Sequence, residues 1–399
     1  MKLVHLSDLH LGKRLNGYSL IEEQADILRK ITGILAEERP DAVLLAGDIY
    51  DKSVPSEEAV RLLDDFLSGL SARGLRTFLI SGNHDSAERL AFGARLVEQS
   101  GIHIAPVWHG STEPVELRDE YGPVKLWLLP FVKPAHVRAA WPEEEIVSYT
   151  DALRTVTAHM EIDQTERNVL AAHQYVSGAA RSESEEITVG GLDDVSAAVF
   201  APFDYVALGH LHRPQNVAAA PASDDTALPL IRYAGSPLAY SFSETDQEKS
   251  LSVIEIGEKK GSAAGGVPLK APVTLRTVPL IPLRGLKEVR GRFADLTGPA
   301  YAGNSRLAEQ YLHITLTDEQ DIPDAFGRLK ALYPYLMTLD YDNTRTRTAA
   351  QINGAENVPG KTPMELFAEL YELQNGAPMT EEQQAYLAAK IEALTEVDA

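Results

Sequence analysis

Two periods alternate along the first hundred residues. Short apolar runs of the strand type, LVHLSD, AVLLAGD and TFLISGNHD, are separated by stretches whose apolar positions recur every three or four residues. After the first run, Ile27, Leu28, Ile31, Ile34 and Leu35 mark one helical face. Ser19 and Glu22 stand before it at capping-box spacing, which predicts a helix from about 19 to 38. Ser56 to about Ala72 reads as a second helix with Val60, Leu63, Leu67 and Leu70 inward, and a third starts near Ser86 and stops before Gly101. The order β-α-β-α-β implies an α/β chain whose sheet begins with parallel strands.

The strand pattern returns at NVLAAHQ and DYVALGHLH, with the polar, Gly-rich SGAARSESEEITVGGLDDV between them as a loop. Beyond Gly235, SLSVIEIG and VTLRTVPL alternate as antiparallel strands joined by the turn-forming EKKGSAAGGVPLKAP. A new unit starts near Leu283, where YLHITLT, PDAFGRLKALY and LMTLDYD read as a small β-α-β module. From about Thr346 the chain turns polar, and MELFAELYELQ and EEQQAYLAAKIEAL then give two amphipathic helices. The expected division is 1–280, 281–345 and 346–399.

The ends of the apolar runs carry the chemistry. LVHLSDLH delivers Asp8 and His10; VLLAGDIYD delivers Asp48 and Asp51; FLISGNHD delivers Asn83, His84 and Asp85; VLAAHQ delivers His173; VALGHLH delivers His210 and His212. In open α/β sheets, ligands gather beyond the carboxyl ends of strands, so these five ends can share one crevice. Gly47, Gly82 and Gly209 each precede a donor, where a residue without Cβ lets the backbone turn or approach closely. Singly, each piece has a plain explanation. Asp8-X-His10 alone is a weak signal, Asp85 at Asp-X-X-Glu spacing suits a helix cap, Asp51 a turn, and His173 a hydrogen-bonded core histidine. Five coincidences at five strand ends do not. His5, His103, His109, His136, His159 and His313 lack that setting and are read as structural.

Composition narrows the metal. The chain of 399 residues contains no cysteine, which excludes disulfides, thiolate zinc sites and cysteine-held iron–sulfur clusters. Carboxylate, amide and imidazole donors suit Mn²⁺, Fe or Zn²⁺ better than Ca²⁺. Asp8, His10, Asp48, Asn83, His173, His210 and His212 are more donors than one tetrahedral ion uses, so two ions sharing a carboxylate are expected. Such a pair places positive charge inside a chain of formal net charge −21, and phosphate is its natural guest. His84, spare in the ligand count, is the candidate to protonate a leaving oxygen. The same charge argues against a broad basic surface for nucleic acid. No apolar stretch reaches the roughly 18 residues of a membrane span, and the start lacks a signal-peptide pattern, so a cytoplasmic location is expected.

Asp8-X-His10, Gly47-Asp48-X-X-Asp51, Gly82-Asn83-His84-Asp85, His173 and Gly209-His210-X-His212 together resemble the five motifs of the calcineurin-like metallophosphoesterase superfamily. Their flanks, HLSDLHLGK, LLAGDIYDKSVPS, FLISGNHDS, SESEEITVGG, FDYVALGHLHRPQ and YAGSPLAYSFSE, are similar to the bacterial SbcD nuclease-subunit family over roughly residues 1–255. The resemblance implies a two-sheet sandwich flanked by helices, a small α+β capping domain and a C-terminal helical tail. It implies one ion on Asp8, His10, Asp48 and His212 and another on Asp48, Asn83, His173 and His210, with Asp48 as the bridge and His84 as the catalytic histidine. It further implies a Mn²⁺-dependent 3′-to-5′ exonuclease on duplex DNA ends and an endonuclease on single strands and hairpins. The implied partner is an SbcC-type ATPase whose coiled coil is gripped by the C-terminal helices. Met364, Leu366, Phe367, Leu370, Tyr371 and Leu373 form a stripe suited to such docking or to packing on the chain itself. A homodimer is left open, and some relatives carry histidine where this chain has Asp51. The competing reading is a small-molecule or cyclic-nucleotide phosphoesterase built on the same metal pair.

Overall fold

The computed structural model describes residues 1–180, 194–217, 228–261 and 269–344 except 303, together with 346, 367–368, 370–372, 378–380, 383–384 and 386–387. Two six-stranded sheets face each other. The first has the order Val273–Pro279, Ser250–Ile256, Lys2–Leu6, Ala42–Ala46, Arg76–Ile80, Ile102–Ala105. Its last four strands run parallel, as the β-α-β-α-β pattern requires, and the other two pair antiparallel. The second has the order Gln215–Asn216, Leu230–Tyr233, Tyr205–Gly209, Arg167–His173, Gly122–Leu129, Val115–Asp119, with its four central strands parallel.

Strand alternation distributes the core into layers. Leu3, Leu44, Phe78 and Ile80 of one sheet meet Leu126, Val169, Ala171, Tyr205 and Ala207 of the other. Their neighbours point outward: Val4, Leu6, Val43, Leu45 and Leu79 pack under the first two helices, and Leu129, Leu170, Val206 and Leu208 under the helix Tyr149–Ala158. Burying both faces explains why these strands read as unbroken apolar runs.

The helices depart from expectation in instructive ways. The first spans Ile21–Glu38, but its N-cap is Leu20 and the Ser19/Glu22 capping box does not form. The helix begins at Ile21, one residue later than a cap at Ser19 requires, and Ser19 lies in a two-residue strand paired with Arg14. The second, Glu57–Ser71, is capped by Ser56 Oγ accepting from the Ala59 amide at 3.3 Å. Its buried face is Ala59, Leu63, Phe66 and Leu70, a rotation that leaves Val60 exposed and Leu67 half-buried. The third is broken into Ala87–Leu90 and Ala94–Val97 by Gly93, whose φ is +76°, and Phe92 and Leu96 stand exposed.

Packing divides the chain into two compact units, one comprising Met1–Glu288, Glu309–His313 and Tyr335–Thr338, the other Val289–Ala308, Ile314–Pro334 and residues from Leu339 onward. Strands Leu286–Gly291, Tyr311–Leu316 and Leu336–Tyr341 form a three-stranded sheet, with the helix Ala325–Leu332 between the last two in sequence. Phe293, Leu296, Leu316, Leu329 and Tyr333 are buried, and the Tyr333 hydroxyl donates to the Leu296 carbonyl at 2.6 Å. Most of the expected tail from 346, the core of the 177–195 loop and the middle of the 258–272 connection lie outside the described residues. Among the described residues no helix is long and apolar enough to cross a membrane.

Candidate metal centre

Five strand ends from both sheets meet at one edge of the sandwich. The loop after Lys2–Leu6 is tied to the loop after Ala42–Ala46 by Asp8 N–H donating to Gly47 O and His10 N–H to Asp48 O, both at 3.0 Å. Across the sheets, His173 Nδ1 donates to the Ala46 carbonyl at 2.8 Å, and His210 N–H donates to Asp8 Oδ1 at 2.9 Å. Close approach demands small residues here. A Cβ on Gly209 would overlap the Ala46 carbonyl and meet His173 Nδ1 at 2.7 Å, and one on Gly82 would overlap the Asp48 carboxylate.

All seven sequence-predicted donors come together. His10 Nε2 lies 3.1 Å from His212 Nε2 and 3.6 Å from Asp48 Oδ2. His173 Nε2 lies 3.3 Å from Asp48 Oδ2 and 3.1 Å from Asn83 Oδ1, which in turn is 3.0 Å from His210 Nδ1. Three overlapping triads, Asp8–His10–His212, Asp8–Asp48–His173 and His10–Asp48–His84, each have donor atoms mutually within 4.8 Å. Asp8, His10 and Asp48 each belong to two of them. His84 is half-buried, its ring 27% exposed, as are Asn83 and His210, whereas His10 and His173 are buried at 1% and 0%.

Backbone strain marks the same residues. Asp8, His10, Asp48 and His210 have φ of 52°, 43°, 49° and 102°, in the left-handed region that L-residues avoid. Each such conformation costs of order 1–3 kcal/mol and survives where surrounding structure over-determines it. Four donors held this way turn their side chains back toward one point.

Electrostatics show a local demand for positive charge. Burial, together with the nearby Asp48 charge, pushes the Asp8 carboxyl up to about 6, against the pull of His173. Burial disfavours a charged His173 ring, yet Asp48 and Asp8 outweigh it and hold the ring's pKa up at about 9. Asp48 also feels the burial penalty, but the surrounding imidazoles keep it well below the carboxylate range. At His173 the carboxylates of the cluster favour a positive charge despite burial, whereas at His10 burial prevails. Nitrogen and oxygen donors of this kind, unfilled by any Cβ, fit divalent metal.

Residues 1–214 match the calcineurin-like phosphoesterase family, and residues 276–375 match the type 5 capsule protein repressor C-terminal domain. The SbcD subunit of the SbcCD nuclease from Staphylococcus saprophyticus is 34% identical over 343 residues, covering 85% of this chain and 84% of the relative. Its counterpart in Staphylococcus epidermidis is also 34% identical, over 85% of each chain. The chain belongs to the SbcD nuclease-subunit family. It is therefore a hydrolase, a nuclease that depends on divalent metal.

Several residues of this SbcD-family site carry work that sequence reasoning did not assign. Asp85 does not cap its helix; its carboxylate accepts from the amides of Gly82, Tyr50 and Ile49 at 2.9, 2.9 and 3.1 Å and so ties two motif loops together. Asp51 pairs with Lys13 at 2.8 Å and reaches to 3.8 Å from His10 Nδ1. Gln24 donates to the His10 carbonyl at 2.7 Å and accepts from Gly12 N–H at 2.9 Å. Glu244, fully buried, accepts from His212 Nδ1 at 3.0 Å. The stretch YAGSPLAYSFSE that contains Glu244 carried a family likeness, but nothing in its own pattern pairs it with a histidine 32 positions earlier.

Proposed function

We propose that this cluster seats two divalent ions, most naturally Mn²⁺, and that the chain uses them to cleave DNA phosphodiesters as the nuclease subunit of an SbcCD-type complex. One observation carries the reading: donors from five strand ends of two sheets converge within bonding reach of common points. In it, Asp8, His10, Asp48 and His212 hold one ion, and Asp48, Asn83, His173 and His210 the other. Such a pair, when bound, offsets the charge that builds on the phosphoryl oxygens during in-line displacement. It also gives a chain of net charge −21 a local attraction for phosphate.

His84 is the proposed catalytic residue. Its Nδ1 lies 3.2 Å from the Asp51 carbonyl, to which it can donate, leaving Nε2 facing the cluster 4.0 Å from Asp48 Oδ2. From that half-open position the ring can reach a phosphoryl or leaving oxygen of a bound phosphodiester, and a proton on Nε2 can pass to the departing oxygen. The remaining parts of the proposal are 3′-to-5′ action on duplex ends, endonuclease action on single strands and hairpins, an ATPase partner with a coiled coil, and work in the cytoplasm.

The test gives full-length protein Mn²⁺ and an end-labelled linear duplex, beside a chromogenic phosphodiester, with and without the ATPase partner and ATP. Duplex shortened from its 3′ ends, and only with metal, is the expected result. His84→Ala is expected to keep both ions while turnover falls about 10²–10⁴-fold. Cleavage of the chromogenic ester alone, under all these conditions, would assign the site to a small-molecule phosphoesterase; loss of metal from His84→Ala would move that residue among the ligands.

A further inference from the structure

The imidazoles of the cluster are steered by different means. His173 Nδ1 donates to a neutral backbone carbonyl, that of Ala46, at 2.8 Å. His10 Nδ1 is buried, 3.8 Å from Asp51 Oδ1, and makes no hydrogen bond among the described residues. His212 is the one of the three whose Nδ1 has a carboxylate at hydrogen-bond distance, 3.0 Å from Glu244 Oε1. A carboxylate there can only accept, so Nδ1 carries the proton and Nε2 presents its lone pair. That Nε2 lies 3.1 Å from His10 Nε2, two ring nitrogens aimed at one point.

Glu244 is itself fixed. Its Oε2 accepts from Lys249 Nζ at 2.6 Å and from the Tyr240 amide at 3.3 Å. Lys249 Nζ also donates to the carbonyl of His212 at 2.9 Å and to Ser236 Oγ at 3.0 Å. One buried ion pair therefore grips both the ring and the backbone of His212. Buried ion pairs are poor sources of net stability, because desolvation offsets their attraction. Holding a ring in one orientation accounts for this one better.

We propose that Glu244, with Lys249 as its counter-ion, is a positioning residue that fixes the tautomer and direction of His212 and so sets the affinity of one ion of the pair without setting the other. The proposal rests on the ligand assignment above. The segment from Ser236 to Lys249 then serves as a brace behind Asp8, His10 and His212, and the ion on the Asn83, His173 and His210 side does not depend on it.

The experiment titrates metal-free full-length protein with Mn²⁺ by calorimetry and records melting of the metal-free form. The variants are Glu244→Gln, Glu244→Gln with Lys249→Met, and His212→Ala. Glu244→Gln is expected to weaken one ion about 10–100-fold while the other stays within about two-fold. The double variant, which leaves no buried charge unpaired, is expected to recover metal-free melting yet keep the same single-ion defect. A purely structural role predicts the opposite: affinity restored along with melting, or both ions weakened equally, and either overturns the proposal, as does Glu244→Gln with both affinities unchanged. His212→Ala tests the ligand assignment separately. Loss of that same ion supports the assignment, whereas retention of both ions defeats it, and the proposal with it.

Discussion

His5 and His173 are both completely buried, on strands Lys2–Leu6 and Arg167–His173 that belong to the two facing sheets, yet their surroundings drive them in opposite directions. His5 lies among the side chains between the sheets, with Nδ1 2.9 Å from the Tyr205 hydroxyl. Burial, with Arg232 adding to it, pushes its pKa down to about 3. His173 stands at its strand's last residue, where Asp48 and Asp8 overcome burial and push the pKa up to about 9. Burial therefore does not tell a histidine of the cluster from a core histidine. What tells is the company each ring keeps: Asp48 and Asp8 overcome burial at His173, whereas at His10 in the same cluster burial outweighs Asp48 and holds the ring well below the usual imidazole range. Only Leu6 and Ser7 separate His5 from Asp8, and with them the two surroundings.

Removing the charge that creates the difference gives the largest expected effect. Asp48 accepts the His84 amide at 2.9 Å and stands within 3.6 Å of His10 and 3.3 Å of His173, so it serves both sides of the cluster. Asp48→Ala is expected to weaken both ions together and to lower turnover by about 10⁴-fold or more, since the chemistry is lost along with the metal. Elemental analysis after dialysis reads it directly. Two ions per chain retained in Asp48→Ala would remove that residue from the bridging role.

How much of this is legible in the sequence depends on distance along the chain. Asp8, Asp48, Asn83, His173 and His210 are legible because each follows its own apolar run within a few residues, and strand ends of an α/β sheet have a common destination. The layered sheets follow from the same runs. Glu244 is not legible, because its meaning comes from His212, and the contact is made by a loop without periodicity. Nor are the left-handed conformations of Asp8, His10, Asp48 and His210, since a non-glycine φ above zero is imposed by packing and not by local preference. Ser19 shows the converse failure. Its capping spacing is sound, but the helix starts one residue late, with Leu20 at the N-cap and Ser19 in a short strand paired with Arg14.

A smaller effect is expected where the two surroundings touch. Gly209 sits at the last residue of its strand, and a Cβ there would meet the Ala46 carbonyl, His173 Nδ1 and, at 3.0 Å, Ser7 Cβ. Gly209→Ala must spread the two sheets at the point where His173 bonds Ala46, so stability is expected to fall by about 1–3 kcal/mol, with weaker metal binding. Gly33→Ala is the control, because nothing lies within 4 Å of its added methyl and it sits inside the helix Ile21–Glu38. There a gain of up to about 1 kcal/mol is expected. Chemical denaturation of both variants in chelator checks the pair; equal outcomes would mean that the close approach at 209 is not a constraint.

The mildest test addresses the interior histidine alone. With the folded pKa of His5 depressed to about 3, the unfolded chain takes up a proton below about 6.5 while the folded chain does not. The folded state thus keeps its full margin above that pH and loses it as the pH falls toward 3, with a slope of up to about 1.4 kcal/mol per pH unit from this one group. His5→Gln keeps a partner for the Tyr205 hydroxyl but cannot titrate. The difference in unfolding free energy between wild type and His5→Gln, measured in chelator between pH 7 and pH 5, should therefore change with that slope. A pH-independent difference would mean that His5 is protonated in place, and the contrast with His173 would then rest on the carboxylates of the cluster without any opposing neutral ring.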